Sequence, residues 1–135
     1  MKMREILFRG KTPGGKWVEG IYSPYNWDID LVRENKPQII ILSENKDDID
    51  GLWCDIIPET AGQYTGLTDK NGVKIFEGDI VRYGDTIHEV VFEQRNGTAY
   101  FGLVYSESET LPFGHYQDLR QIEVIGNIYD NGYPF

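Results

Sequence analysis

The chain has 135 residues, of which 40% are hydrophobic and 13% aromatic; this is enough to bury a core and excludes general disorder. Its formal net charge of −9 repels phosphate backbones and argues against nucleic acid as the main partner. The single cysteine, Cys54, excludes an internal disulfide. No apolar run reaches the roughly 18 residues of a membrane span, and the chain shows no apolar signal segment. We therefore expect a cytoplasmic protein.

Alternation of apolar and polar residues predicts a β-hairpin at the N-terminal end. Its strands cover 5–9 and 17–22, and the turn between them contains Pro13, Gly14 and Gly15. Residues 23–36, with Tyr25 and Trp27, are predicted to form a loop. Strands follow over 38–42 and 52–57, with an acidic loop between them. We expect the strand at 38–42 to be buried on both faces. One helical turn is predicted at 58–60.

Short strands continue to the C-terminal end of the chain. They are predicted over 80–83, 87–93, 98–105 and 122–129, and they follow the segments 62–67 and 73–76 on either side of a turn. Asn71-Gly72 and Asn96-Gly97 predict tight turns, 106–110 a polar loop, and 113–120 a short helix. Because many short strands lie close together and no segment repeats apolar residues at helical spacing, the sequence predicts a small barrel or sandwich.

The residues that carry chemistry form no catalytic, cofactor-binding or metal-binding pattern. His88 and His115 are the only histidines, and a zinc site needs more His or Cys ligands than the chain offers. Asp69 to Gly72 resembles the start of a calcium loop, but the twelfth position is Ile80, where that loop requires glutamate. We therefore expect a protein that is not an enzyme and that binds no cofactor.

Four segments resemble the YopX family, found mainly in bacteriophages and prophages, in their order and spacing. They are REILFRG at 4–10 with KWVEG at 16–20, IPETAGQYTGL at 57–67, DKNG at 69–72 leading to IFEGDIV at 75–81, and IEVIGNIY at 122–129. The resemblance implies a phage or prophage origin and a mainly β fold, with an SH3-like small β-barrel in the C-terminal part and an N-terminal β-hairpin extension with little helix. It implies no activity, because the family is generally described as uncharacterised.

This resemblance divides the chain into two parts. Residues 1–55 are predicted to be a β-rich extension packed on the barrel, and residues 56–135 the SH3-like barrel module. The stretch from Gln63 to Val81 has a structural interpretation, in which Gly66, Gly72 and Gly78 form turns and Asp79 accepts backbone N–H groups. The functional interpretation makes part of it a recognition surface.

A protein-interaction module in the cytoplasm of a bacterial host is the function we expect, with an unknown protein as partner. The candidate interaction surface consists of polar and aromatic side chains from two parts of the sequence: Gln63, Tyr64, Thr65 and Glu77, together with Trp17, Tyr25 and Trp27. The alternative is an accessory protein that binds nucleic acid through the basic N-terminal strip, or that mimics nucleic acid through its acidic surface. The sequence leaves the oligomeric state open.

Overall fold

The computed structural model describes residues 6–23, 37–41, 52–95, 97–113 and 117–132. Within these ranges the protein is mainly β, with eleven strands, two single-turn 3-10 helices and one short α-helix, which confirms the prediction of a mainly β fold with little helix. The chain divides into two compact units, Met1–Gln63 and Tyr64–Phe135. The boundary that we place between residues 55 and 56 stays a prediction. No helix in the described ranges is long and apolar enough to cross a membrane.

The first unit is an antiparallel sheet with the strand order β4-β3-β2-β1, and β1 also pairs with the first residues of β5. Its elements are β1 (Phe8–Lys11), β2 (Trp17–Ser23), β3 (Gln38–Ile41), β4 (Leu52–Asp55), a 3-10 helix (Pro58–Thr60) and the start of β5 (Gly62–Thr68). The predicted hairpin is confirmed, since Phe8 lies opposite Gly20 and Lys11 opposite Trp17. The predicted helical turn at 58–60 is confirmed as well.

Three buried aliphatic side chains, Val18, Ile39 and Ile56, form the core of the first unit. The rings of Phe8 and Tyr22 stack beside them, with their centroids 5.1 Å apart. The expectation that β3 is buried on both faces holds only in part: Ile39 is fully buried, whereas the next two isoleucines are partly exposed.

The second unit contains a five-stranded antiparallel sheet with the strand order β10-β9-β8-β7-β11, while β6 pairs with the end of β5. Its elements are β6 (Lys74–Phe76), β7 (Asp79–Tyr83), β8 (Thr86–Arg95), β9 (Thr98–Ser106), β10 (Glu109–Pro112), a 3-10 helix (Leu119–Gln121), β11 (Ile122–Asn127) and α1 (Ile128–Asn131). No pairing joins β10 to β11 within the described part of the chain. A closed barrel is therefore not seen, and the SH3-like barrel is not confirmed.

Three elements of the second unit differ from the prediction. In place of the short helix predicted at 113–120, the described residues have only the 3-10 helix Leu119–Gln121, and residues 114–116 lie outside the described ranges. Part of the predicted polar loop at 106–110 is strand β10, which lies at the sheet edge and pairs only with β9. Edge strands tolerate polar residues and proline, because one side of their backbone needs no partner strand. The last predicted strand ends two residues early, because the Asn127 side chain accepts hydrogen bonds from the backbone N–H groups of Tyr129 and Asp130 and caps α1.

Five fully buried side chains from five strands form the core of the second unit: Ile75, Val81, Val90, Leu103 and Ile122. On β8 and β9, Val90 lies opposite Leu103 and both side chains enter this core. Because side chains alternate between the two faces of a strand, the preceding Glu89 and the following Val104 belong to the other face of the sheet. That face carries the site described below.

Candidate functional site

Two of the predicted surface residues have their side chains engaged inside the second unit. Tyr64 is only 7% exposed, and its ring lies 5.5 Å from the ring of Phe76. The Thr65 hydroxyl donates a hydrogen bond of 2.8 Å to the carbonyl oxygen of Ile75. Both side chains thus join β5 to β6.

The other predicted residues are distributed over both units. Gln63 is half-buried in the first unit and lies opposite Phe8 on β1. Trp17 begins β2, and the guanidinium of Arg9 lies over its ring, 4.8 Å from the centroid. This stack occupies one face of the indole. Tyr25 and Trp27 lie outside the described residues.

Glu77 lies in the turn between β6 and β7, half-buried. The next residue, Gly78, has a φ of +92° and donates its backbone N–H to the carbonyl of Val90 over 2.8 Å. The Asp79 carboxylate is almost fully buried and accepts a 2.7 Å hydrogen bond from the backbone N–H of Phe76. The predicted role of Asp79 is confirmed, and the turn is fixed at the start of β7 with Glu77 beside β8.

Asp69 is a buried carboxylate whose role the sequence analysis did not predict. One carboxylate oxygen accepts the backbone N–H groups of Asn71 and Val73 at 2.8 and 2.9 Å, and the other accepts that of Val124 at 2.9 Å. Burial alone would raise the pKa of Asp69, but these three hydrogen bonds and the nearby Lys70 ammonium outweigh burial and lower the pKa below its ordinary value. Asp69 therefore connects the β5–β6 turn to β11.

A mostly apolar pocket of about 340 Å³ opens on the face of the five-stranded sheet that carries Glu89 and Val104. It is lined by residues of β8, of β9 and of the turn after β9: Glu89, Val104, Tyr105, Ser106 and Glu107. Burial, followed by repulsion from the Glu77 carboxylate, raises the pKa of Glu89 above its ordinary value. The pocket thus combines apolar walls with carboxylates at its edge.

Behind this pocket, on the core-facing side of β8, lies a buried histidine. His88 is 3% exposed, and its ring lies 4.2 Å from the Tyr105 ring. One ring nitrogen of His88 is 2.7 Å from the Thr86 hydroxyl and the other is 2.9 Å from the Val104 carbonyl oxygen. The Tyr105 hydroxyl accepts a hydrogen bond from the Gln117 side chain. His88 and Tyr105 therefore link β8 to β9 on the core-facing side of the sheet. His115 lies outside the described residues.

A second cleft, of about 420 Å³, is more open and more polar. Its lining runs along β5 and the following turn and includes two residues of the last 3-10 helix: Gly66, Leu67, Thr68, Asp69, Lys70, Leu119 and Arg120. The Lys70 ammonium is 3.1 Å from Glu123, and the Arg120 guanidinium is 3.0 Å from Asp118. Because both cations are already paired with carboxylates, this cleft has little attraction for an anion.

Within the described ranges, no group of three His, Cys, Asp or Glu side chains is placed to hold a metal ion. The one serine that lines the apolar pocket, Ser106, has its hydroxyl 3.4 Å from that of Ser108.

The sequence analysis did not single out Glu89, Tyr105 or Glu107. Glu89 alternates with Ile87 and Val91 on one face of β8, so a carboxylate interrupts an otherwise apolar row. That interruption is a signal in the sequence. The contribution of β9 to the same pocket depends on strand register, which the sequence alone does not supply.

Comparison with known proteins identifies a family and similar solved structures. The family model of the YopX protein matches residues 17–133, which is most of the chain. The crystal structure of protein EF1440 from Enterococcus faecalis is similar, with 25% sequence identity and a TM-score of 0.47, covering 96% of each chain. No curated protein matches.

Proposed function

The chain belongs to the YopX family, and we propose that it is a non-catalytic protein-interaction module of phage or prophage origin that works in the cytoplasm of its bacterial host. Family membership supplies no activity, so the proposal depends on the surface of the second unit. The observation that carries it is the mostly apolar pocket lined by Glu89, Val104, Tyr105, Ser106 and Glu107.

An exposed apolar side chain beside the pocket favours a protein partner over a free small molecule. Ile87 is 39% exposed and lies two residues before Glu89 on β8, so both side chains belong to the same face. Ile87 extends the apolar surface beyond the pocket. Apolar surface around a pocket and bordered by charged groups is typical of protein interfaces.

The surroundings of the pocket support a binding role without catalysis. His88 carries the one imidazole in the described residues; it is buried, and both of its ring nitrogens are within hydrogen-bonding distance of other groups. It is therefore not placed to take a proton from Ser106. A binding surface needs no such proton transfer.

Charge disfavours nucleic acid as the ligand of the second unit. Residues 64–135 contain five Lys or Arg against eleven Asp or Glu, a net charge of −6. In the first unit, the Arg9 guanidinium covers a face of the Trp17 ring on which a base would have to stack. Binding through the basic N-terminal strip thus remains the less favoured function.

We further propose that the second unit is an open SH3-like barrel. In its sheet, β7, β8, β9 and β10 follow one another, and the last strand, β11, returns to pair with β7. A 3-10 helix immediately precedes β11. This order and the 3-10 helix are the arrangement expected of a small SH3-like sheet. An experimental structure in which β10 and β11 approach each other would support the assignment, whereas a flat sheet with widely separated edges would contradict it.

Site-specific photo-crosslinking tests the interaction module directly. A photoreactive amino acid replaces Ser106, which is exposed and lines the pocket, in a protein produced in the bacterium from which the sequence comes. The matched control carries it at Gln121, which is also exposed in the second unit but does not line this pocket. We expect one discrete crosslinked protein from position 106 and none from position 121.

The same experiment separates the alternatives. Crosslinks of equal intensity from both positions, or none from position 106, would contradict the proposal. A crosslink to a second copy of the chain would show self-association at the pocket instead of a separate partner. Retardation of DNA or RNA by the purified protein in a low-salt gel shift would favour the nucleic-acid alternative.

A further inference from the structure

We propose that the pocket lined by Glu89 and Glu107 binds the side chain of a lysine or arginine presented by the partner protein. This inference rests on the proposed function, since it names the chemistry that the interaction site recognises. It follows from three features of the pocket: its apolar walls, its size and the sign of the charges around it.

The walls fit the methylene stem of a basic side chain. Val104 and Tyr105 contribute apolar surface, and the pocket of about 340 Å³ has room for one long side chain. Lysine and arginine bury their stems along apolar surface and keep the charged head at a polar edge.

The carboxylates at the pocket select the charge of the occupant. Glu89 and Glu107 both line it, and Glu77 acts on Glu89 from the adjacent turn. Arg82 lies opposite Ile87 in the pairing of β7 with β8 and is the cation nearest to Glu89 along the paired strands. Three carboxylates against one guanidinium leave a negative potential that an acidic side chain would not enter.

Burial strengthens the attraction at Glu89. Its carboxylate is half-buried and close to a like charge, so its ionised form is disfavoured in the free protein. A cation placed beside it would relieve both the desolvation and the repulsion from Glu77. A neutral side chain of the same shape would bring neither gain.

Nuclear magnetic resonance titration with a minimal probe tests this recognition. The intact protein is titrated with Nα-acetyl-arginine methylamide, and in parallel with its citrulline analogue, which has nearly the same shape but no charge. We expect the arginine probe to shift the amide signals of Glu89 and of residues 104–107, with an affinity at least about fivefold above that of the citrulline probe.

Variants identify the carboxylates responsible. Glu89→Gln and Glu107→Gln should each weaken arginine binding about threefold or more, whereas Glu109→Gln, an exposed residue of β10 outside the pocket lining, should leave it unchanged. The dispersion of amide signals verifies that each variant is folded. Equal binding of arginine and citrulline, shifts outside the pocket, or undiminished binding in both pocket variants would overturn the inference.

The outcomes separate this inference from the proposed function. In one outcome, position 106 still crosslinks a partner, the arginine probe does not bind, and the two glutamine variants leave the crosslink unchanged. The interaction module then stands, and a basic side chain is excluded as the occupant of the pocket. If neither crosslinking nor probe binding occurs, both proposals fail.

Discussion

Replacing Asp69 by asparagine removes the charge of the buried carboxylate while nearly keeping its shape. In the native protein one carboxylate oxygen accepts two local N–H groups, those of Asn71 and Val73, and the other accepts the N–H of Val124, which is 55 residues away in sequence. An asparagine has one oxygen and one NH₂ group. In either orientation the NH₂ group therefore faces at least one backbone N–H that loses its acceptor.

The magnitude follows from the number of hydrogen bonds lost. A hydrogen bond to a charged acceptor contributes about 1.5–3 kcal/mol, so Asp69→Asn should lower the free energy of unfolding of the second unit by about 2 kcal/mol. Asp69→Ala removes all three bonds and should cost about 4 kcal/mol. The matched control is Asp85→Asn, an exposed carboxylate in the turn between β7 and β8, for which we expect less than about 0.5 kcal/mol.

The dependence on pH has a definite sign. Because the pKa of Asp69 is lowered in the folded protein, its carboxylate stabilises the fold above the pKa of the unfolded chain, and this contribution is lost as the pH falls through the folded pKa. The stability difference between the native protein and Asp69→Asn should therefore be full at neutral pH and shrink in acid. A gap that stays constant from neutral to acidic pH would refute this reasoning.

Urea unfolding followed by the amide resonances of the second unit measures these values. Tryptophan fluorescence does not serve here, because all three tryptophans precede residue 64. Hydrogen exchange gives a local test, since the Val124 amide should lose protection in Asp69→Asn more than the Leu103 amide in the core sheet does. Equal stability of Asp69→Asn and Asp85→Asn would refute the role assigned to Asp69.

Three further substitutions test the fold. Gly78→Ala should destabilise the second unit by about 2 kcal/mol, because φ is +92° and the new methyl group would lie 2.9 Å from the Tyr129 ring. The control Gly97→Ala, at φ +78° in open space, should cost only about 1 kcal/mol. Equal urea midpoints of the two variants would contradict this. Leu103→Ala, at a fully buried site, should cost about 2–5 kcal/mol by the same assay, and a cost under 1 kcal/mol would exclude a tightly packed core. Thr60→Val removes the acceptor of the Lys11 N–H and should lower the free energy of unfolding of the first unit by about 1 kcal/mol. Tryptophan fluorescence during urea unfolding measures this, and an unchanged midpoint would contradict the role of that hydrogen bond.

The sequence predicts most of the strands, because each depends on a local pattern. The hairpin around Gly14 and Gly15, the turn at Gly72 and the strand that begins near Ile80 follow from alternation and turn chemistry, and the structure confirms them. Strand β10 was missed, since its polar sequence and Pro112 are typical of a loop. Only pairing with β9 makes it a strand, and that pairing is not encoded locally.

The candidate site is less predictable because it depends on register. Glu89 and Val104 are 15 positions apart in the sequence and meet only because Val90 pairs with Leu103. Locally, Asp69 resembles only the start of a calcium loop, because its hydrogen bond from the Val124 N–H joins residues that are far apart in the second unit's sequence. By contrast, the hydrogen bond of Asp79 closes a turn of four residues, and the sequence predicted it.

The measurement that tests the interaction module most directly is the crosslink yield from position 106 when the pocket is filled. Val104→Phe places a larger ring in the pocket, and Ile125→Phe, at an exposed position on β11, is the matched control. We predict that Val104→Phe, while still folded, lowers the yield of the partner crosslink at least about fivefold and that Ile125→Phe does not change it. An equal yield from both variants would show that the partner does not bind in this pocket and would contradict the proposed function.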